Sequence, residues 1–360
     1  MWDVPGRWLR IIALEVHTEG EPLRVVTGGA PPLRGDSMMA QYRYATDHLD
    51  YLRTALVSEP RGHANMVGCI LTPPLNDAAD LGAIFMHNGG FSAKCGHGII
   101  GLATVAVETG MVQRKEPETV VHIDTPAGLV CASARVARRR VWSAYFRNVP
   151  SFVLALEERI DVPGIGSMPY DLAYGGAFFA YVRSEEAGVS CTPDDYRILV
   201  ERGMAISQAI ARSRPIVHPF KTGATTLSGT IFITQPQCRG ADTRHVCVFS
   251  RGHIDRSPTG TGVSGRMAIL LARGEIGLHQ PVIVESIIGT RFIGRIVERS
   301  TMGAYTLVMT EVEGSAHITG RHEFLIDPDD PLKRGFLLDA PARIAEELLD
   351  HPGERMTRRQ

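Results

Sequence analysis

The sequence predicts a mixed α/β (α+β) fold built as two similar halves, and three observations carry that prediction. First, two stretches repeat at one offset: Cys95 and Thr259, Gly96 and Gly260, Gly98 and Gly262, Gly101 and Gly265, and Gly110 and Gly274 each lie 164 positions apart. Both stretches read as a polar loop (MHNGGFSAKCGHG and DRSPTGTGVSG) that opens an apolar helix, which points to an ancient duplication. Second, 360 residues exceed the size at which one core usually stops growing. Third, strand-like runs near 119–124, 129–136 and 141–148 are joined by connections too short for crossover helices, so they fold antiparallel.

The elements follow in chain order. Residues 11–16 read as a strand, His17 to Pro22 as a turn-rich loop, and Leu23–Val26 as a short strand. Asp36 reads as the N-cap of a long helix with Met39, Tyr42, Leu49, Leu52 and Leu56 on its core face. Residues 82–86 make a strand leading to the Cys95 loop, whose helix runs to about Glu108. The cluster Arg138-Arg139-Arg140 fits a solvated turn, and the Pro- and Gly-rich residues 160–170 fit an interdomain linker. The second half repeats the plan. DLAYGGAFFAYV is a strand with a glycine kink, Thr192 and Pro193 open a helix, and 244–249 leads to the Thr259 loop. Closing strands lie near 281–287, 290–299 and 304–312. From about 318 turn signals precede an amphipathic stretch, Ala342–Leu349, expected to pack back on the first domain, and the last residues, RMTRRQ, are expected to be disordered. The domains are therefore expected to be 1–160 with 318–360, carrying Cys95, and 166–317, carrying Asp255 and Thr259.

A net charge of −1 argues against nucleic-acid or anionic-membrane partners. No apolar run reaches the ~18 residues needed to span a bilayer, and MWDVPGRWLR carries charges where a signal peptide needs its apolar core, so a cytoplasmic location is expected. Six cysteines without tight pairing do not read as a disulfide framework. Cys69, Cys131, Cys191, Cys238 and Cys247 read as inert core thiols. Metal binding is not expected: His17, Cys95 and His97 are tempting ligands, but only one residue separates Cys95 from His97, fewer than zinc sites use.

The two helix starts are where chemistry is expected. The first backbone N–H groups of a helix lack partners and the dipole is positive there, so two such ends facing one cleft would grip a carboxylate. The same positive end favours a thiolate at Cys95, making it a candidate base or nucleophile. Both loops also match G-x-G-x-x-G, and Glu285 stands where a dinucleotide fold would place a ribose ligand. A mostly polar stretch separates strand 244–249 from Gly260, however, and a dinucleotide fold would not need the motif twice, so no dinucleotide is expected.

The stretch around CGHG, together with HTEGEPLRVV, EPRGHANMVGCILTPP, DTPAGLV, AYGGAFFA, DRSPTGTG and EGSAHITG, resembles the proline racemase family over roughly residues 10–335. The resemblance implies two α/β halves, each a mostly antiparallel, barrel-like sheet around a central helix as in diaminopimelate epimerase, with a cofactor-free site between them. It implies a small imino acid, proline or a hydroxyproline, as the partner, and leaves a homodimer open. Racemases and epimerases of the family set one cysteine on each side of the substrate α-carbon. The first corresponds to Cys95, the second to Thr259, and a threonine hydroxyl is far too weak an acid and base to trade a proton with carbon.

The Cys/Thr pair resembles instead that of the family's trans-3-hydroxy-L-proline dehydratases. In that substrate the α-hydrogen and the 3-hydroxyl share one ring face, so one residue can remove both. The resemblance further implies that the backbone N–H groups of Gly96, His97, Gly260 and Thr261 hold the carboxylate, and that Asp255 pairs with the ring nitrogen opposite His97. Thr259 either hydrogen-bonds the substrate hydroxyl or, the role favoured, fills the space of the lost thiol while capping its helix. Two other readings stay open: a racemase or 2-epimerase using Cys95 with another acid, and a non-catalytic member that only captures an amino acid.

Overall fold

The computed structural model describes residues 2–221 and 225–338. The chain begins with a hairpin, β1 (Leu9–Thr18) and β2 (Glu21–Gly28), followed by α1 (Met38–His48) and α2 (Asp50–Val57). Next come β3 (Val67–Thr72), β4 (Leu81–His87), the short β5 (Gly90–Ser92) and α3 (Gly96–Glu108), then β6 (Glu118–Thr125), β7 (Gly128–Ala137) and β8 (Arg140–Arg147). The remainder holds β9 (Phe152–Val162), β10 (Gly166–Tyr174), β11 (Phe178–Arg183), α4 (Tyr196–Ser213), β12 (Leu227–Thr234) and β13 (Thr243–Phe249). It closes with α5 (Gly260–Ala272), β14 (Val282–Glu285), β15 (Arg291–Met302), β16 (Tyr305–Gly314) and β17 (Ala316–Ile326).

Strand order follows from which connections carry a helix. Hairpin-linked neighbours pair antiparallel, whereas β2 with β3, β4 with β6, β11 with β12, and β13 with β14 pair parallel. Each parallel pair is bridged by helices, α1–α2, α3, α4 and α5 respectively, as parallel strands require. The run β17-β1-β2-β3-β4-β6-β7-β8 and the run β9-β10-β11-β12-β13-β14-β15-β16 show the same order of antiparallel and parallel pairings. They join where β16 pairs with β8. Helices α3 and α5 are buried on nearly every side, because they are apolar all round and contribute to one core cluster.

Several expectations need correction. The loop from His17 to Pro22 shrinks to the turn Glu19-Gly20, since His17, Thr18, Glu21 and Pro22 all belong to paired strands. The first helix is capped by Ser37, whose hydroxyl accepts from Ala40 N, rather than by Asp36, and it breaks at Leu49 into two. That shift of one residue buries Met38 and leaves Met39 exposed, while Leu49, Leu52 and Leu56 do enter the core. Residues 160–170 are no linker: β9 and β10 form a hairpin there, with Gly164 and Gly166 at positive φ in its turn. DLAYGGAFFAYV is likewise two strands, β10 and β11, reversed at Gly175-Gly176. The turn signals expected from 318 begin only after β17 ends at Ile326. Beyond it, Phe336 bridges to Glu59 and Arg61 donates to the carbonyls of Leu332 and Lys333, so this segment does return to the first run. Ala342–Leu349 and RMTRRQ lie outside the described residues. Cys131 is exposed on β7, contrary to the core role expected of it.

Candidate active site

The repeated glycines explain how the two central helices reach one place. Helices α3 and α5 start head to head: a Cβ on Gly96 would sit 3.8 Å from the Cα of Gly260, and Phe146 lies against both. A Cβ on Gly98 would come within 2.6 Å of Phe85 and 3.0 Å of Cys95 Sγ, and one on Gly262 within 2.5 Å of Ile231 and 3.3 Å of the Thr259 Cβ. Gly101 lets Leu23 and Thr18 close on α3, and Gly265 lets Tyr181 close on α5. Gly110 and Gly274, at φ +78 and +72, reverse the chain after each helix in the left-handed region that glycine enters without penalty. The pattern that mimics a dinucleotide fingerprint is therefore a packing device. Glu285 takes a structural place instead, in a buried ion pair with Arg244 at 2.9 Å.

Neither helix start carries a side-chain cap, so the first N–H groups of Gly96, His97, Gly260 and Thr261 have no cap acceptor. Cys95 is the N-cap of α3 in relaxed extended backbone, φ −155 and ψ 111. Its sulfur lies 3.5 Å from His97 Nδ1, while His97 Nε2 lies 3.3 Å from the carbonyl of Pro22. Thr18 donates to the His97 carbonyl at 2.9 Å and pins the first turn. Burial works against charge on His97, but the Cys95 sulfur and its hydrogen bond, then Glu21 and Asp255, outweigh it and carry the imidazole up to about 10. His97 is thus an imidazolium at neutral pH whose two N–H groups go to the sulfur and to Pro22.

The start of α5 is built differently. Thr259 does not cap its helix, correcting that part of its expected role; its hydroxyl donates to Asp255 Oδ2 at 2.8 Å. Asp255 Oδ1 accepts from the backbone N–H and hydroxyl of Ser257, at 2.9 and 2.8 Å. Thr259 sits at φ 65 and ψ 101, a conformation that costs a β-branched residue on the order of 1–3 kcal/mol and persists only when its surroundings impose it. Burial first, then the charge of Glu21, raise Asp255 to about 6, against the pull of His97, His253 and the Ser257 hydrogen bond.

Cys95, Gly96, His97, Asp255, Thr259, Gly260 and Thr261 thus meet around the junction of α3 and α5. His17 does not join them, since its ring packs on His317 with centroids 5.3 Å apart. Sequence reasoning missed three contributors. Ser257 fixes Asp255, and its spacing in Asp255-x-Ser257-x-Thr259 is the recognisable pattern of a side-chain-bonded turn. Glu21 is buried and meets His253 at 3.1 Å, with the backbone N–H of Arg256 donating to it at 2.8 Å. No local pattern could have found Glu21 and His253, which lie far apart in the chain.

The chain is similar to known proteins over most of its length. The family model described as proline racemase matches residues 13–337. A trans-3-hydroxy-L-proline dehydratase of Colwellia psychrerythraea is 42% identical over 331 residues, covering 92% of this chain and 93% of its own. A proline racemase of Acetoanaerobium sticklandii is 40% identical over 327 residues, covering 91% and 98%. Among solved structures, a hydroxyproline epimerase from Agrobacterium vitis with bound trans-4-hydroxy-L-proline superposes with a TM-score of 0.82 at 34% identity, covering 93% of this chain and 96% of that one. No helix among the described residues is long and apolar enough to cross a membrane.

Proposed function

The chain belongs to the proline racemase family, and from that premise we propose that it removes water from trans-3-hydroxy-L-proline to give Δ1-pyrroline-2-carboxylate. The observation that carries the proposal is Thr259. It stands where the second proton-transferring thiol of a racemase is expected, and its hydroxyl is spent on Asp255 at 2.8 Å, so its oxygen does not exchange a proton with the α-carbon.

The chemistry then falls to one face. The uncapped starts of α3 and α5 hold the substrate carboxylate and stabilise the charge that spreads into it as the α-proton leaves. Asp255, a carboxylate at neutral pH, pairs with the ring ammonium and keeps it positive, which acidifies the α-hydrogen. Cys95 thiolate, held by the His97 imidazolium, takes the α-proton, and the electron pair of the broken C–H bond forms the C2–C3 double bond as the C3–O bond breaks. Both N–H groups of His97 are engaged, so the Cys95 thiol returns its proton to the departing hydroxyl, which leaves as water. The enamine tautomerises to the imine outside any protein step. The two runs of strands act as two copies of one ancestral half, closed barrel-like around α3 and α5, with residues 166–317 supplying Asp255 and Thr259.

Incubation with trans-3-hydroxy-L-proline followed by borohydride trapping tests this. Proline recovered from the trapped imine is expected with the parent chain and not with Cys95→Ser; equal yields from both would remove Cys95 from the reaction.

A further inference from the structure

Glu21 opens β2 and is 1% exposed, yet it is a carboxylate. Such a group is costly to bury without partners, and its partners come from the other run of strands. His253 Nε2 lies 3.1 Å from one oxygen, and the backbone N–H of Arg256 donates to the other at 2.8 Å, with the Arg256 guanidinium 3.6 Å away. These two residues flank Asp255 on either side. The next residue after Glu21 is Pro22, whose carbonyl faces His97 Nε2 at 3.3 Å. One two-residue step of β2 therefore touches the supports of both Asp255 and His97.

We propose that Glu21 is a positioning residue, a strut whose side chain holds the Asp255 segment while its neighbour's carbonyl holds His97, fixing the distance between the two charged groups of the site. The proposal rests on the reading of Cys95, His97 and Asp255 given above, but it concerns a residue that touches none of the reacting atoms. The groups facing Glu21 are His97, with Cys95 behind it, on α3, His253, Asp255 and Arg256 on the segment before α5, and Cys247 on β13. Burial opposes its charge, but the hydrogen bond and charge of His253, then His97 and Arg256, hold Glu21 below the usual carboxylate range, so it is ionised throughout the working range. Its charge supports the protonated form of His97 and opposes ionisation of Asp255. Neutralising it should move both titrations to lower pH.

The decisive variant is Glu21→Gln, which keeps the shape and an acceptor for Arg256 N but removes the charge. Two readouts are needed, one of them free of substrate. Histidine side-chain NMR, with His97 assigned by comparison with His97→Asn, is expected to show the His97 midpoint falling from near 10 by about one unit. With trans-3-hydroxy-L-proline, kcat/KM is expected to fall on the order of tenfold to a hundredfold, chiefly in kcat, with both limbs of its pH profile moved down. An unchanged His97 titration would overturn the proposal. A parent chain that acts on no imino acid would instead overturn the functional reading, while the titration would still judge the strut. If Glu21→Gln does not fold, Glu21→Asp keeps the charge but shortens the reach by one carbon: it should hold the pH limbs and lose kcat, and parent-like kcat would overturn the strut.

Discussion

The two central helices start alike in sequence and unlike in chemistry. At α3 the N-cap is Cys95 in relaxed backbone, its sulfur turned toward a charged imidazole. At α5 the N-cap is Thr259 in strained backbone, its hydroxyl turned away to a carboxylate. The glycines around them do matching work, since Gly98 and Gly262, and Gly101 and Gly265, each admit a close core neighbour that a Cβ would exclude. What differs is which cap faces an acid and which faces a base. Family membership accounts for the scaffold, and this asymmetry is the feature on which the proposed loss of water rests.

The largest expected effect breaks the comparison at its centre. Cys95→Ser should cost at least about 10³-fold in kcat, because a serine hydroxyl cannot serve as the base. Thr259→Ser, the matching change at the other helix, keeps the bond to Asp255 and relieves the β-branched strain, so kcat should stay within about threefold. Steady-state kinetics on both variants checks the pair; similar losses would mean the two starts are functionally equivalent.

Next in size are the glycines beneath the caps. Gly98→Ala and Gly262→Ala each force a Cβ within 2.6 Å of a core side chain, so each should lose about 1–3 kcal/mol by chemical denaturation. Only Gly98→Ala also pushes on the Cys95 sulfur, and only it should lower kcat in folded protein. Thr259→Cys sharpens the comparison in the other direction: in D2O, L-proline should be inverted to α-deuterated D-proline by the variant and not by the parent chain.

The pH profile follows from the same two clusters. Activity should rise as Asp255 ionises near 6 and fall as His97 loses its proton near 10. The smallest effect near neutrality concerns the core behind α5. His245 on β13 is fully buried with neither ring nitrogen hydrogen-bonded among the described residues, and burial, with the Arg266 charge, lowers it to about 3. Its folded pKa lies below its unfolded value, so the unfolded chain binds the extra proton between about 6.5 and 3, and stability declines as pH falls through that window. His245→Leu should flatten that decline in acid unfolding curves while changing little at pH 7; an unaltered curve would place the acid sensitivity elsewhere.

Much of the junction was legible because it is written locally and twice. The offset between CGHG and TGTG located both helix starts, and their polar-to-apolar change marked where the helices begin. The meaning of Pro and Gly was not legible in the same way: residues 160–170 look alike whether they make a linker or a hairpin turn, and only pairing between β9 and β10 decides it. Asp36 and Ser37 are both good caps, so one residue of ambiguity moved the buried methionine from 39 to 38. The tie between Thr259 and Asp255 depends on a backbone conformation that threonine rarely adopts, and that between Glu21 and His253 on contacts between distant strands.

Whether Cys95 alone exchanges the α-proton is decided by proton NMR of the purified protein in D2O with trans-3-hydroxy-L-proline, trans-4-hydroxy-L-proline and L-proline as parallel samples. Δ1-pyrroline-2-carboxylate is expected from the 3-hydroxy compound and no inverted product from the other two. Inversion at the α-carbon of trans-4-hydroxy-L-proline or L-proline, with deuterium incorporated and no water lost, would contradict that expectation.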